Sequence, residues 1–321
     1  MSASNPERTD LRIPHGGGSK RDFLAVTDFS IEEVLEVFKK TEELKKDRFR
    51  ECFKNKAVGL IFQKPSLRTR VSFQVGVWQL GGQCMSLSPA EVNIGVRESV
   101  KDAAQTLARY LDLVVARVFK HKDVVDLARY AQIPVINGLS DLYHPCQALA
   151  DIFTVREKRG MLKGLTLTYV GDGNNVCHSL LQITSLMGMH MRVAAPKGFV
   201  PQKDILNEAQ ALAKNAGSSI VVTQDPKEAV RGSDVLYTDV WASMGQEREA
   251  ARRARIFKKY QINKELLALA KKDALVMHCL PAHRGSEITD EVMDSPNSVV
   301  FDEAENRLHV QKAIMMKLLD K

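Results

Sequence analysis

Residues Ala57–Phe73 read AVGLIFQKPSLRTRVSF. The apolar run Ala57–Phe62 has the length and content of a buried strand. Lys64 and Pro65 interrupt it. Ser66 is then a helix N-cap, and Val71, Val75 and Trp78 follow at i, i+4 and i+7 to mark a helix. A strand that passes through a polar turn into a helix is the unit of an open parallel sheet. In such sheets ligands bind beyond the carboxyl ends of the strands. The turn carries Lys64, Arg68 and Arg70 beside a helix start, where unpaired backbone N–H groups and partial positive charge favour an anion. The bland alternative is a capped helix with surface arginines, and position alone leaves both readings open.

The same alternation extends in both directions. Ser30–Lys46 reads as a helix opened by a capping box of Ser30 and Glu33. Downstream, helices over Ser99–Tyr110 and Val124–Ala131 separate strands over Leu113–Arg117 and Pro134–Asn137. A long helix follows from about Pro145 to Lys158. A second set comprises strands over Leu165–Gly171, His190–Pro196, Ser219–Thr223, Val235–Val240 and Ala274–Pro281. Helices over Asn175–Met187, Ile205–Ala216 and Pro226–Val230 lie between them. Strands spaced by helices imply parallel sheets with right-handed crossovers. The expectation is an α/β protein with two doubly wound parallel-sheet domains. The first spans 23–150, the second 151–303, and a last helix over 304–321 is free to cross back to the first. Residues 1–22, with no apolar core, read as a disordered lead-in.

Bulk properties narrow the class. A chain of 321 residues, 44% hydrophobic and 26% charged, is ordinary for a soluble protein of about two domains. No apolar run approaches the roughly 20 residues of a membrane span. Five cysteines, odd in number and without a CxxC pair, argue against a disulfide framework or a zinc site and for a reducing, cytoplasmic setting. The net charge of +7 is concentrated in Arg248–Lys272, which holds nine Lys/Arg and two Glu. One basic stretch reads as a solvated helical face, not as a nucleic-acid site.

Further polar clusters fall at strand ends. His144 and Gln147 in HPCQ share the first turn of a helix, with Pro145 suited to its first position. They are placed to bond a ligand oxygen, or else His144 packs locally. Gly171–Val176, GDGNNV, resembles a dinucleotide loop, but it lacks the third glycine and the acid some 20 residues on. Asn174 and Asn175 are better read as holding a polar small molecule. Asp239 ends a strand and suits a cationic group or a turn cap. Cys279 ends the next, as a nucleophile or, more commonly, an inert thiol.

Taken in order, Ser66-Leu67-Arg68-Thr69-Arg70, His144-Pro145-Cys146-Gln147, Asp239 with Ser243-Met244-Gly245, and His278-Cys279-Leu280-Pro281 resemble the ornithine carbamoyltransferases, within the aspartate/ornithine carbamoyltransferase superfamily. The resemblance runs from about Arg21 to the C-terminus. It implies a carbamoyl-phosphate domain, an amino-acid domain, a last helix returning to the first, and a homotrimer or a multiple of trimers. It also implies no cofactor and no metal. Ser66, Leu67, Arg68 and Thr69 then cradle the phosphate, and Arg117 bridges phosphate and carbonyl. His144, Gln147 and Arg307 (in Glu303–Arg307, EAENR) meet the carbamoyl group. Asn175, Asp239, Ser243 and Met244 clamp ornithine, and Cys279 and Leu280 lie where the two substrates join. Two letters depart from the family pattern. Leu67 replaces a Thr, which suits a position acting through its backbone N–H. Asn93 replaces a longer Gln or His that reaches a neighbouring subunit, so its reach is shorter.

The implied reaction is carbamoyl phosphate plus L-ornithine giving L-citrulline and phosphate, in arginine biosynthesis or a urea-cycle type of metabolism. The δ-amine attacks directly, and Arg68, Arg117, His144 and Thr69 stabilise the tetrahedral intermediate. Asp239 and Cys279 orient the amino acid. The alternatives are a carbamoyltransferase for N-acylornithine or putrescine, a non-catalytic homologue, and, further off, a nicotinamide enzyme.

Overall fold

The computed structural model describes residues 20–88, 98–242 and 247–320. Strands β1 (Ala57–Phe62), β2 (Gln83–Leu87), β3 (Leu113–Arg117) and β4 (Val135–Leu139) form one sheet in the order β2-β1-β3-β4. Strands β5 (Thr166–Val170), β6 (His190–Ala194), β7 (Ile220–Thr223), β8 (Val235–Thr238) and β9 (Leu275–His278) form a second, ordered β7-β6-β5-β8-β9. Every pairing between them is parallel. The helices are α1 (Ile31–Lys46), α2 (Leu67–Gln79), α3 (Val100–Leu107), α4 (His121–Tyr130), α5 (Pro145–Arg159), α6 (Asn175–Leu186), α7 (Lys203–Asn215), α8 (Pro226–Val230), α9 (Ala250–Phe257), α10 (Lys264–Leu267), α11 (Asp290–Met293) and α12 (Val300–Leu318). Among the described residues no helix is long and apolar enough to cross a membrane. The two doubly wound parallel sheets are those expected.

The strand orders place the chemistry. In the first sheet the chain leaves β1 for β2 on one side and β3 for β4 on the other. The crevice therefore opens past the carboxyl ends of β1 and β3, at Gln63–Thr69 and Arg117. In the second sheet the reversal lies between β5 and β8, so its crevice opens at Gly171–Asn175 and Asp239.

One apolar cluster joins the sheets. It contains Leu60, Val115 and Ile136 from the first, Leu167 and Tyr237 from the second, and Ile152 and Ile314 from the helices between. The α5 residues from Pro145 to Val155 are all buried, which explains a helix apolar on nearly every side. Helix α12 packs against α1, α2 and α5. Val310, Ala313, Ile314 and Met315 are its buried row, and Ile314→Ala is expected to cost about 2–5 kcal/mol. On the same helix, Lys312 is buried and bonds Gln79 Oε1 at 2.8 Å and the Arg48 carbonyl at 3.0 Å. Burial lowers its ammonium to about 8.

Several sequence expectations need correction. Helix α2 does not bury the Val71, Val75, Trp78 row: Trp78 is 64% exposed and Val71 47%. Phe73, Gly76, Val77 and Leu80 face inward instead, because α12 crosses that side and brings Lys312 and Leu308 against Gly76. Of the lead-in expected over 1–22, residues 20–22 are ordered parts of the fold. Residues 1–19 lie outside the described residues, but Asp22 accepts from the Val135 N–H at 2.8 Å and Arg21 pairs with Glu33. Helix α3 stops at Leu107, short of the expected Tyr110, and Gln83–Leu87 forms strand β2 without an alternating pattern to mark it.

Candidate active site

The start of α2 lies directly past β1. Ser66 is extended (φ −159°, ψ 112°), and its hydroxyl accepts from the Thr69 N–H at 3.3 Å. That cap satisfies the Thr69 N–H, and the N–H groups of Leu67 and Arg68 before it have no carbonyl partner within the helix. The Leu67 side chain is 73% exposed, so it turns to solvent. Thr69 is fully buried, and its Oγ1 accepts from Arg307 at 2.9 Å and from Arg117 at 3.5 Å. Arg117 ends β3 beside a register shift at Ala116/Arg117, a local bulge that re-aims the chain. Arg307 comes from α12.

Arg68, Arg117 and Arg307 therefore converge on one place. Burial lowers each of them. Arg117 falls to about 10, with the charges of Arg307 and Arg68 adding to the effect of burial. Among the described residues none of the three forms an ion pair, and the Nε atoms of Arg117 and Arg307 have no partner there either. Buried unpaired cations are costly. An anion that accepts from all three relieves that cost. His144, N-cap of α5, completes the cluster. Burial, then Arg307, Arg117 and Arg68, hold its imidazole well below the usual range, so it is neutral. Its backbone N–H donates to Ser179 Oγ at 2.8 Å, which ties α5 to α6, and its Nδ1 has no partner among the described residues.

Gln147 lies one turn into α5. Its Nε2 donates to Asp151 Oδ1 at 2.7 Å and to Glu303 Oε1 at 2.8 Å. Neither acid was singled out from the sequence. Glu303 also accepts from the Tyr237 hydroxyl at 3.3 Å and the His278 N–H at 3.1 Å.

The second crevice is organised by Asn174. It caps α6, with Oδ1 accepting from the N–H groups of Val176 and Cys177, and its Nδ2 donates to Asp239 Oδ2 at 2.6 Å. The Asp239 Oδ1 accepts from the Cys279 thiol at 3.1 Å. Burial, then the charges of Asp239 and Glu303, push that thiol well up, so it is a protonated donor and not a nucleophile. Asn175, the residue carried over from the family pattern, gives its Nδ2 to the Ser140 carbonyl at 2.6 Å, so it ties α6 to the loop after β4. Ser243, Met244 and Asn93 lie outside the described residues. The basic stretch is not wholly a solvated face: Arg253 is buried, pairs with Asp172 at 2.6 Å and donates to the Trp241 carbonyl at 2.8 Å. It fixes the chain leading out of Asp239.

The glycine-rich loop is explained by packing. A Cβ on Gly173 would lie 2.3 Å from Pro201 N. The missing side chain lets two backbones touch, and the Gly173 N–H donates to the Phe199 carbonyl at 2.8 Å.

Past β9, Leu280 has φ +58°, a left-handed value uncommon for leucine. Its N–H donates to His278 Nδ1 at 2.9 Å, and His278 Nε2 bonds the buried Glu287 at 3.1 Å. Asp239, His278 and Cys279 bring potential metal-ligand atoms within 4.8 Å of one another. Both ring nitrogens of His278 are already committed within the protein, so the trio is not a preformed ligand set.

The geometry offers an anion cradle at one crevice and a carboxylate with hydrogen-bonding neighbours at the other, with Gln147 and His144 on the helix between them. The family model "Aspartate/ornithine carbamoyltransferase, carbamoyl-P binding domain" matches residues 21–157, and that of the "Asp/Orn binding domain" matches 163–318. The ornithine carbamoyltransferase of Thermococcus kodakarensis is 52% identical over 300 residues, 92% of this chain and 95% of that one. That of Pyrococcus horikoshii is 50% identical over 305 residues, 93% and 96% of the two chains. The solved structure of ornithine carbamoyltransferase from Pyrococcus furiosus matches with a TM-score of 0.90 at 48% identity, covering 92% of this chain and 96% of that one. On this fold, these motifs and these matches, the chain belongs to the aspartate/ornithine carbamoyltransferase family.

Proposed function

We propose that the chain is an ornithine carbamoyltransferase, converting carbamoyl phosphate and L-ornithine to L-citrulline and phosphate. One observation carries the reading. Arg117 and Arg307 meet at Thr69, Arg68 is near enough for its charge to act on both, none of the three forms an ion pair among the described residues, and the neutral His144 lies beside them. Phosphate sits at the start of α2, on the N–H groups of the first turn and Arg68. The uncharged δ-amine of ornithine attacks the carbamoyl carbon. The carbonyl π electrons move to oxygen, and Arg117, His144 and Thr69 stabilise the charge. The Thr69 oxygen already accepts from two arginines, so its own hydrogen is free to donate. The tetrahedral intermediate collapses by breaking the C–O bond to phosphate, which leaves with the amine's proton. Each lost donor costs on the order of 10²-fold in rate. Asp239, held by Asn174 and Cys279, binds the ammonium of the amino acid. The reaction as drawn uses no cofactor.

The same reading extends to the whole molecule. A carbamoyl-phosphate unit of 23–150 with 304–321 and an ornithine unit of 151–303 would share α5 and α12, and the sheet order supports this. A trimer is supported by exposed apolar residues around α2 and β2, namely Phe49, Leu67, Trp78 and Met85. A cytoplasmic setting is supported by five free cysteines. The test compares turnover with L-ornithine, N-acetylornithine and putrescine. Ornithine should be used best, because Asp239 needs an α-ammonium. Faster turnover of either rival would shift the reading to that amine.

A further inference from the structure

Gln147 raises a question of orientation. A primary amide offers two N–H donors at one end and a carbonyl acceptor at the other. Here both donors are committed, to Asp151 at 2.7 Å and Glu303 at 2.8 Å. The carbonyl Oε1 is buried and has no partner among the described residues. It lies on the same helical turn as His144, three residues back.

The two acids are built in from separate elements. Asp151 is one turn further along α5, fully buried. Glu303 comes from α12 and is fixed by the Tyr237 hydroxyl and the His278 N–H. Both accept from the one Gln147 amide nitrogen, so they stand side by side, and burial pushes both carboxyls up. Like charges side by side in a dry site do not both ionise, so the pair keeps one proton and one negative charge. That pair has more acceptors than donors. Reversing the amide would set its carbonyl against carboxyl oxygens holding a single proton, and would leave an N–H in the place of Oε1.

We propose that Asp151 and Glu303 are positioning residues that hold the Gln147 amide with Oε1 toward the carbamoyl group, making an acceptor that selects a carbamoyl NH2 over an isosteric acyl CH3. The inference rests on the carbamoyl-phosphate reading of the site. Glu303 is fixed by both β8 and β9, so the selecting acceptor in the first crevice is set by the second sheet.

The test uses the full-length chain and competition between carbamoyl phosphate and acetyl phosphate, with inorganic phosphate as a reference. The parent should bind carbamoyl phosphate about tenfold more tightly than acetyl phosphate. Asp151→Asn supplies an N–H to Gln147 and lets the amide reverse. Asp151→Asn and Glu303→Gln should each bring the ratio close to one and leave phosphate affinity within about twofold. In a Gln147→Ala background neither change should move the ratio, since the acceptor is already gone. Folded variants that keep the parent ratio overturn the inference, as does an equal loss in the Gln147→Ala background. Glu303→Gln keeps the test decisive if Asp151→Asn does not fold. A parent with no preference between the two phosphates overturns the carbamoyl reading itself, and this inference with it.

Discussion

Arg307 donates to the Thr69 hydroxyl at 2.9 Å, joining the last helix to the start of α2 across 238 residues. The proposed anion cradle therefore takes one of its arginines from α12. Arg307→Ala should lower kcat/KM for carbamoyl phosphate about 10²-fold. Thr69→Val, which removes the acceptor but keeps the shape, should cost about tenfold. Steady-state phosphate release at saturating ornithine measures both. Unchanged kcat/KM in Arg307→Ala would remove Arg307 from the cradle.

Gly173 touches Pro201 so closely that a single methyl has no room. Gly173→Ala should displace the turn that carries Asn174 and loosen its 2.6 Å bond to Asp239. We expect about 1–3 kcal/mol of destabilisation and a raised KM for ornithine, with carbamoyl-phosphate binding little changed. Denaturant titration and separate KM determinations check the two halves.

Glu287 is fully buried and is the partner of His278 Nε2. Glu287→Ala leaves that buried N–H unmatched and should cost about 1–3 kcal/mol. It should also lower kcat, because His278 Nδ1 fixes the Leu280 turn. Glu287→Gln, which can still accept, should recover most of the loss. Equal damage from both variants would show that the accepting oxygen is not what matters.

His121 is buried against the first sheet, with Nδ1 bonded to Ser140 Oγ at 2.9 Å. Burial lowers its pKa to about 4, with Asp141 opposing. An unfolded histidine titrates near 6.5. Between these values the unfolded chain binds more protons, so stability present above pH 6.5 is lost as pH falls toward 4. At pH 5 the loss is on the order of 2 kcal/mol. His121→Gln should lack this slope, so its stability gap to the parent should narrow on acidification. A gap constant from pH 7 to 5 would contradict the assignment.

The strand-turn-helix at Ala57–Phe73 was legible because apolar run, N-cap and helix period coincide within a few residues. So were His144 and Asp239, polar residues at strand or helix ends. Asp151 and Glu303 were not. On paper Asp151 is the one acid in the mostly apolar stretch Pro145–Val155 and Glu303 one acid among several in a charged helix, and the crossing of α5 by α12 brings them together. Asn174 and Asn175 are neighbours of one type, and which faces Asp239 depends on where α6 begins. The inward face of α2 does not follow from its apolar row, because Trp78 and Val71 are apolar but α12 covers the other side. Strand β2 is a half-exposed edge strand whose residues Gln83–Leu87 do not alternate.

The most direct measurement mixes the chain with carbamoyl phosphate and L-ornithine and follows citrulline and phosphate together. Carbamoyl transfer predicts one citrulline for each phosphate released, and almost no phosphate when ornithine is omitted. Phosphate release without citrulline, or at the same rate without ornithine, would contradict it.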